Sequence, residues 1–214
     1  MNQDERLGEI VEAYRNNFGD KAKVILDAGT RDGDDASYLA HTLKAETVIC
    51  IDANPLAIAD TRAKYPGFVV IETALADYDG EAVFTQIVSD RKDFAGSSSL
   101  TNVSHWAGAE LNQIPVKVSR MDTLINERHL PIPDVAKVDV EGYTFEFLQG
   151  LGRYLTQVKV FHLETETYKR HEGHKDATAV AELMRDAGFW LAKTSYEWGA
   201  TIEDQTWINA KALH

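Results

Sequence analysis

The stretch VILDAGTRDGDDASYL, residues 24–39, contains the pattern from which the fold of this chain is predicted. It opens as an apolar run, turns through Gly29 and Gly33, and continues into a segment of helical character that carries acidic residues at its start. A buried strand that passes through a glycine turn into a helix is the first part of a β-α-β unit. The stretch therefore predicts an α/β protein, and the segments around it extend the pattern.

Strands and helices alternate on both sides of this stretch. Apolar residues recur at helical spacing within residues 1–20, which predicts an N-terminal helix. Further predicted strands are ETVICIDAN, GFVVIETAL, DVAKVDVEG and VKVFHLETE, and the predicted helices among them are PLAIADTRAKY, YTFEFLQGLGRYL and KDATAVAELMRDAG. Such alternation predicts a parallel, doubly wound sheet. The last two apolar runs, FWLAKTSY and TWINAKAL, are joined by a short link and predict an antiparallel hairpin.

The middle of the chain is less regular. Residues 81–121 contain two predicted strands, EAVFTQIV and IPVKVSRM, on either side of a long polar segment. Because a loop of that length inside a compact domain usually has a function, the segment is predicted to be a lid-like insertion. We find no boundary to a second domain in the 214 residues, so residues 1–214 are predicted to form a single domain.

Composition limits the partners of the chain. Its 22 Lys and Arg residues face 34 Asp and Glu residues, and the formal net charge of -12 disfavours nucleic acid because phosphate groups are repelled. No apolar run approaches the roughly 18–20 residues that span a membrane, and the N-terminal residues have no apolar signal core. The one cysteine, Cys50, cannot form an internal disulfide. We therefore expect a cytoplasmic protein.

The glycine turn favours a ligand without phosphate. Gly29 and Gly33 are spaced G-x-x-x-G rather than the G-x-G-x-x-G that admits a pyrophosphate in dinucleotide-binding folds. The surrounding carboxylates are those of Asp27, Asp32, Asp34 and Asp35. Because phosphate-binding loops hold negative charge with N–H groups and often a lysine, this acidic turn indicates a neutral or cationic ligand.

The second strand adds a site for a ribose. Asp52 ends this strand nineteen residues beyond Gly33, where a carboxylate can accept hydrogen bonds from both ribose hydroxyls. An adenosine, no phosphate and a positively charged amino-acid half together describe S-adenosylmethionine, whose ammonium and sulfonium groups the acids are expected to face. The predicted cofactor-binding residues are Asp27, Gly29, Thr30, Arg31, Gly33 and Asp52.

Five segments resemble, in order, the motifs of the FkbM family of S-adenosylmethionine-dependent methyltransferases. They are VILDAGTRDG, VICIDANP, IETALADYDGEAVF, GSSSL and VAKVDVEGYTFEFLQG, of which KVDVEG (Lys137–Gly142) is the most specific. The resemblance implies a Rossmann-like class I methyltransferase fold, with a seven-stranded, mostly parallel sheet and helices on both faces. It also implies methyl transfer to a hydroxyl of a sugar or natural product, which leaves S-adenosylhomocysteine. Further predicted cofactor-binding residues are Ala53, Asn54, Ala74, Leu75 and Asp139.

The predicted catalytic residues end the fourth and fifth core strands. They are Asp139, Glu141, His162 and Glu164. A weakly acidic hydroxyl needs an aligned base, and the carboxyl ends of parallel strands bring such groups together. Other roles stay open, because His162 can equally be a core histidine and Lys137 shares a face with Asp139 and Glu141, as a structural ion pair would require. The acids could also bind a divalent cation such as magnesium.

The predicted acceptor-binding residues lie in and after the long loop. They are Ser98, Ser99, His105, Trp106 and Tyr168. Hydroxyl groups suit a polyhydroxylated acceptor such as a glycan or small molecule, and a tryptophan face can stack on a sugar ring, although Trp106 can instead pack on the core.

Two other classes of protein share parts of this pattern. A nicotinamide-dependent oxidoreductase would share the sheet and Asp52, but it requires a glycine fingerprint that this chain lacks. A non-catalytic module that binds an adenosine ligand would keep the glycine turn without needing acids after the fourth strand.

Overall fold

The structure is a computed structural model that describes residues 3–88, 98–100, 110–168, 174–197 and 201–213. Its helices are α1 (Gln3–Phe18), α2 (Asp34–Thr42), α3 (Pro55–Lys64), α4 (Met121–Arg128), α5 (Thr144–Gly150) and α6 (Ala177–Ala187). Its strands are β1 (Val24–Ala28), β2 (Thr47–Asp52), β3 (Val69–Glu72), β4 (Ala74–Leu75), β5 (Gly80–Val88), β6 (Glu110–Ser119), β7 (Val135–Val138), β8 (Val160–Glu166), β9 (Phe189–Glu197) and β10 (Ile202–Asn209). Short 3-10 turns cover Gly152–Gln157 and Ala210–Leu213.

The main sheet has seven strands in the order β3-β2-β1-β7-β8-β10-β9. Strands β3, β2, β1, β7 and β8 run parallel, while β10 is antiparallel to both of its neighbours, β8 and β9. The predicted mostly parallel sheet with a C-terminal antiparallel hairpin is confirmed. The chain winds outward from β1 in one direction and from β7 in the other. The carboxyl ends of these two neighbouring strands are therefore the switch point at which such sheets bind ligands.

Helices cover both faces of this sheet, as predicted. Neighbouring residues of β1 point to opposite sides, because side chains alternate along a strand. Ile25 belongs to a buried cluster with Leu39 of α2, whereas Leu26 belongs to the larger cluster that contains Phe147 of α5 and Met184 of α6. Each side chain of this kind stabilises the fold by about 1.5–3 kcal/mol when it is fully buried.

A second sheet of three strands, in the order β4-β6-β5, stands beside the carboxyl end of β2. The predicted third strand, GFVVIETAL, is in fact divided between the two sheets. Its main-sheet part ends at Glu72, the N–H of Thr73 donates to the carbonyl of Asp52 at 2.9 Å, and Ala74 and Leu75 then pair with β6. Strands β5 and β6 pair antiparallel, and Phe84 of β5 packs in one cluster with Val118 of β6 and with Ala53, the residue that follows β2.

Among the described residues, no helix is both long enough and apolar enough to cross a membrane.

Candidate active site

A cavity of about 1000 Å³ lies at the carboxyl ends of the parallel strands. Its walls come from residues 29–32 after β1, residues 51–54 at the end of β2, residues 139–141 after β7, and Glu164 of β8. The second sheet and the segment beside it add Phe84, Ile87 and Leu100. Because ligand cavities usually measure about 300–1,000 Å³, this volume suits a cofactor together with an acceptor.

The glycine turn forms one wall of the cavity. The N–H groups of Gly29 and Thr30 donate to the carbonyl of Ile51 at 2.8 and 3.2 Å, which ties the turn to β2. The hydroxyl of Thr30 donates to the carboxylate of Asp27 at 2.9 Å. Gly33 has a φ of 78° and precedes α2, so it shapes the turn without lining the cavity.

Gly29 lies close to the backbone that follows β7, so Gly29→Ala is expected to destabilise the fold strongly. Its φ is +80°, and an added Cβ would lie 1.7 Å from the carbonyl oxygen of Asp139. The left-handed backbone alone costs a non-glycine residue about 1–2 kcal/mol, and the overlap adds to that cost. We therefore expect the free energy of unfolding, measured by chemical denaturation, to fall by more than about 2 kcal/mol.

The matched control for Gly29→Ala is Gly67→Ala. Gly67 is exposed, and no atom lies within 4 Å of the Cβ position there. This substitution should change the free energy of unfolding by less than about 0.5 kcal/mol. Similar losses in the two variants would contradict the steric explanation.

Asp52 presents a carboxylate of fixed orientation to the cavity. Its two oxygens accept the N–H groups of Arg31 at 3.1 Å and Asn54 at 2.7 Å. Burial raises the pKa of Asp52, and these two backbone hydrogen bonds oppose the rise. Asn54 also accepts the N–H of Leu56 at 3.1 Å and the side-chain amide of Gln86 at 2.8 Å, which ties this wall to β5. A carboxylate has lone pairs beyond these two bonds, and they can accept ribose hydroxyls.

Ala53, Ala74 and Leu75 also line the cavity, on the side of Asp52. Their small or apolar side chains give this part of the wall no charge. Such a surface suits the flat face of an adenine ring better than it suits a phosphate.

A buried lysine holds the acids on the other side of the glycine turn. The Nζ atom of Lys137 lies 3.4 Å from Asp27, 3.2 Å from Asp35 and 3.8 Å from Asp139. Arg6 of α1 joins this group through Asp35 at 3.3 Å. Burial alone would lower the pKa of Lys137, but the three carboxylates raise it above its ordinary value. Lys137 therefore stays charged in the interior.

The expectation that the acids of residues 24–39 face the cofactor's positive groups fits Asp32 and Asp35, which line the cavity, but not Asp27 and Asp34, which do not. Asp27 pairs with Lys137 instead, and Asp34 pairs with Lys64 at 3.4 Å. Asp32 lines the cavity and pairs with Lys64 at 3.5 Å. Most of this acidity is therefore neutralised by cations of the protein itself.

Three carboxylates meet on the cavity wall at the ends of β7 and β8. Asp139, Glu141 and Glu164 each offer an oxygen, and these oxygens all lie within 4.8 Å of one another. Burial raises the pKa of Glu164 well above its ordinary value, and the charges of Asp139 and Glu141 raise it further. This set, the acid cluster, combines a carboxyl of raised pKa with two further carboxylates.

The backbone at Glu141 is held in an uncommon conformation. Its φ is 49°, in the left-handed region, and the following Gly142 has a φ of 94°. The hydroxyl of Ser99 donates to the carbonyl of Glu141 at 2.7 Å. Backbone of this kind in non-glycine residues is concentrated at functional sites, where the surrounding structure maintains it.

The structure argues against His162 as a catalytic base. Its side chain is buried, shares a hydrogen bond of 3.0 Å with Thr206, and does not line the cavity. Burial, together with the charges of Arg6 and Lys137, lowers the pKa of His162 to about 3. The ring is therefore neutral at ordinary pH, and His162 is a core histidine rather than a catalytic residue.

The predicted acceptor-binding residues have different positions. Ser98 and Tyr168 line the cavity, and Tyr168 is exposed at its edge. Ser99 does not line it, because the Ser99 hydroxyl points to the backbone of Glu141. His105 and Trp106 lie outside the described residues. Lining residues that the sequence patterns do not single out include Arg6, Phe84, Leu100 and Tyr143, since nothing local separates them from core or surface residues.

The sheet order, the cavity at the switch point, and the fixed Asp52 beside a glycine turn together define a class I methyltransferase. Residues 27–191 match the methyltransferase FkbM domain, and the chain belongs to this family of S-adenosylmethionine-dependent methyltransferases. The nicotinamide-dependent alternative is therefore set aside.

Similar proteins of known sequence or structure are also methyltransferases. The 2-O-methyltransferase NoeI of Sinorhizobium fredii (strain NBRC 101917 / NGR234) is 25% identical over 171 residues, which cover 75% of this chain and 70% of that protein. The precorrin-6y C5,15-methyltransferase of Geobacter metallireducens GS-15 superposes with a TM-score of 0.56 at 10% identity, covering 98% of this chain and 90% of that chain. Magnesium protoporphyrin IX methyltransferase of Synechocystis PCC 6803, with bound S-adenosylhomocysteine, superposes with a TM-score of 0.53 at 10% identity. The superposition covers 97% of this chain and 84% of that chain. The structural likenesses concern the fold alone.

Proposed function

We propose that this protein transfers the methyl group of S-adenosylmethionine to a hydroxyl oxygen of a sugar, a glycan or another small natural product, with Glu164 as the general base. The acid cluster is the observation that carries the proposal. Its three carboxylates line the same cavity as Gly29 and Asp52, on the opposite side of the glycine turn from Asp52. The residues proposed to bind the cofactor and those proposed to act on the acceptor thus line one cavity.

For this reaction the protein has to align the acceptor oxygen with the methyl group and supply a group that accepts the hydroxyl proton. S-adenosylmethionine supplies a methyl group on a sulfonium, so the carbon–sulfur bond breaks as the carbon–oxygen bond forms. The acceptor hydroxyl loses its proton, and Glu164 is the residue proposed to take it. A general base works best when its pKa lies near the working pH, and the raised pKa of Glu164 moves it in that direction. Glu141 is proposed to orient the hydroxyl.

The apolar part of the cavity lining supports a carbohydrate or similar acceptor. Phe84, Leu100, Tyr143 and Tyr168 give the cavity apolar and aromatic surface in addition to its carboxylates. A sugar ring has apolar C–H faces and hydroxyl edges, so it can contact aromatic rings with its faces and carboxylates with its hydroxyl groups. The relative NoeI carries the name of a 2-O-methyltransferase, which agrees with a hydroxyl acceptor.

The acceptor class is tested by methyl transfer from labelled S-adenosylmethionine to a panel of substrates. The panel contains neutral oligosaccharides, the same sugars in phosphorylated form, aryl glycosides, and transfer RNA. We expect mass spectrometry to locate the label on an oxygen of a neutral sugar or glycoside. We expect weaker labelling of the phosphorylated forms, because the acid cluster repels them. Label on a nitrogen, or on RNA in preference to sugars, would contradict the proposal.

Proton transfer to Glu164 also predicts that the reaction needs no divalent metal. The acid cluster offers three oxygen ligands of the kind that magnesium takes, so the alternative role of these residues is open to a direct measurement. We expect turnover to be unchanged after treatment with EDTA and dialysis. A loss that added magnesium restores would assign the acid cluster to a metal that activates the acceptor hydroxyl.

A further inference from the structure

The methionine half of S-adenosylmethionine carries an α-carboxylate as well as an ammonium group. A carboxylate in a cavity with this many acids is stabilised most by a cation of the protein. The described residues that line the cavity include three such cations, Arg6, Arg31 and Lys137. Their positions relative to Asp52 and their partners in the protein indicate which of them can bind the α-carboxylate.

Arg31 and Lys137 are the weaker candidates. Arg31 is on the ribose side, because its N–H donates to Asp52, and its half-exposed side chain lies 3.9 Å from Asp32. Lys137 lies within 3.8 Å of three carboxylates of the protein, so its charge is already matched. A second anion at Lys137 would meet the repulsion of all three.

Arg6 is on the side of the cavity where the methionine half belongs. Asp52 ends β2, and β2 and β7 flank β1 on opposite sides. A cofactor with its ribose at Asp52 therefore extends across the glycine turn toward β7. Arg6 reaches that end from α1, which packs against β8, and its guanidinium lies 3.3 Å from Asp35, the residue that also contacts Lys137.

We propose that Arg6 binds the α-carboxylate of S-adenosylmethionine and that Asp35 orients its guanidinium. The inference rests on the cofactor placement in the proposed function and adds a residue to it. A guanidinium has five N–H donors in a planar fork, so it can contact Asp35 and a second carboxylate together. The Arg6 side chain is only 16% exposed, which reduces screening by water.

One consequence is that the cofactor site is not contained within residues 27–191. Arg6 precedes the segment that matches the family domain, and α1 then takes part in binding as well as in covering the sheet. The contribution of Arg6 should depend on the amino-acid half of the ligand. That dependence separates direct binding from a general effect on the fold.

Calorimetric titration with two ligands tests the proposal. S-adenosylhomocysteine has the carboxylate, whereas methylthioadenosine has the same adenosine and sulfur without it. We expect Arg6→Met to weaken S-adenosylhomocysteine binding about 10–100-fold and to leave methylthioadenosine binding unchanged, since a hydrogen bond to a charged group is lost in the first case alone. Arg6→Lys, which keeps the charge without the fork, should fall between the wild type and Arg6→Met.

Arg15→Met is the matched control, because Arg15 is on the same helix and bonds to the carbonyl of Thr42 instead. It should bind both ligands as the wild type does. Equal loss of both ligands in Arg6→Met, or unchanged S-adenosylhomocysteine binding in a folded Arg6→Met or Arg6→Lys variant, would overturn the proposal. These titrations use no methyl acceptor, so their outcome is separate from the test of the acceptor class.

Discussion

Replacing Glu164 with glutamine is expected to lower turnover by roughly 10²–10⁴, the usual contribution of a general base. Glutamine keeps the shape of the side chain but cannot accept the acceptor's proton. Affinity for S-adenosylhomocysteine should be unchanged, because the residues proposed to hold the cofactor remain. Single-turnover kinetics with the labelled cofactor measure the first quantity, and calorimetry measures the second. Glu127→Gln, at an exposed position of α4, is the matched control.

The pH dependence gives a second test of Glu164. Its pKa in the folded protein lies above the ordinary value of 4.5, mainly through burial, so ionised Glu164 destabilises the fold. The wild-type rate should rise as the pH rises through this pKa. The glutamine variant should be more stable than the wild type at pH values above it, and the difference should vanish below about 4.5, where Glu164 is neutral in both the folded and the unfolded chain.

A large loss of stability in Glu164→Gln, with unchanged turnover per folded molecule, would contradict this role. It would mean that the acid cluster belongs to the fold rather than to the reaction.

Replacing Lys137 with methionine is expected to lower the free energy of unfolding by about 3–5 kcal/mol, because removing one partner of a buried ion pair leaves uncompensated charge. The Lys137 side chain is only 5% exposed and contacts Asp27, Asp35 and Asp139. Burial already raises the pKa of Asp27 to about 6, and Lys137 opposes that rise. The loss should therefore shrink as the pH falls through this range, where Asp27 becomes neutral.

Lys21→Met is the matched control for Lys137→Met. Lys21 forms a shorter ion pair, 2.7 Å from Glu46, but both partners are more than half exposed. Solvent screens such a pair, so the variant should unfold at nearly the same denaturant concentration as the wild type. Equal losses of stability in the two variants would contradict the explanation that burial makes the ion pairs of Lys137 important for the fold.

Local patterns in the sequence predict the main sheet and one side of the site. The order of strands and helices follows from hydrophobic periodicity, and the glycine turn and Asp52 are recognisable because their positions relative to strand ends are regular. The division of GFVVIETAL between two sheets is not predictable in this way. Its residues have the same strand character throughout, and the main sheet ends where Ala74 and Leu75 pair with β6 instead, a strand distant in the chain.

Side-chain partners account for the remaining differences. Ser99 and His162 are polar residues near the site, but each is turned to a protein partner that lies far away along the chain. Arg6, by contrast, lines the cavity but is not predicted as a site residue, because an arginine on an amphipathic helix gives no local sign that it faces a cavity. The eight-residue α4 also lacks a strong periodic pattern and is not predicted.

A crystal structure of the complex with S-adenosylhomocysteine would show directly how the cofactor lies in the cavity. We expect ribose hydroxyls within about 2.5–3.0 Å of the Asp52 carboxylate. We also expect the sulfur atom to face the acid cluster, with space between the sulfur and Glu164 for the acceptor oxygen. A cofactor bound in the reverse direction, or one whose sulfur faces away from Asp139, Glu141 and Glu164, would contradict the proposed roles of Asp52 and Glu164.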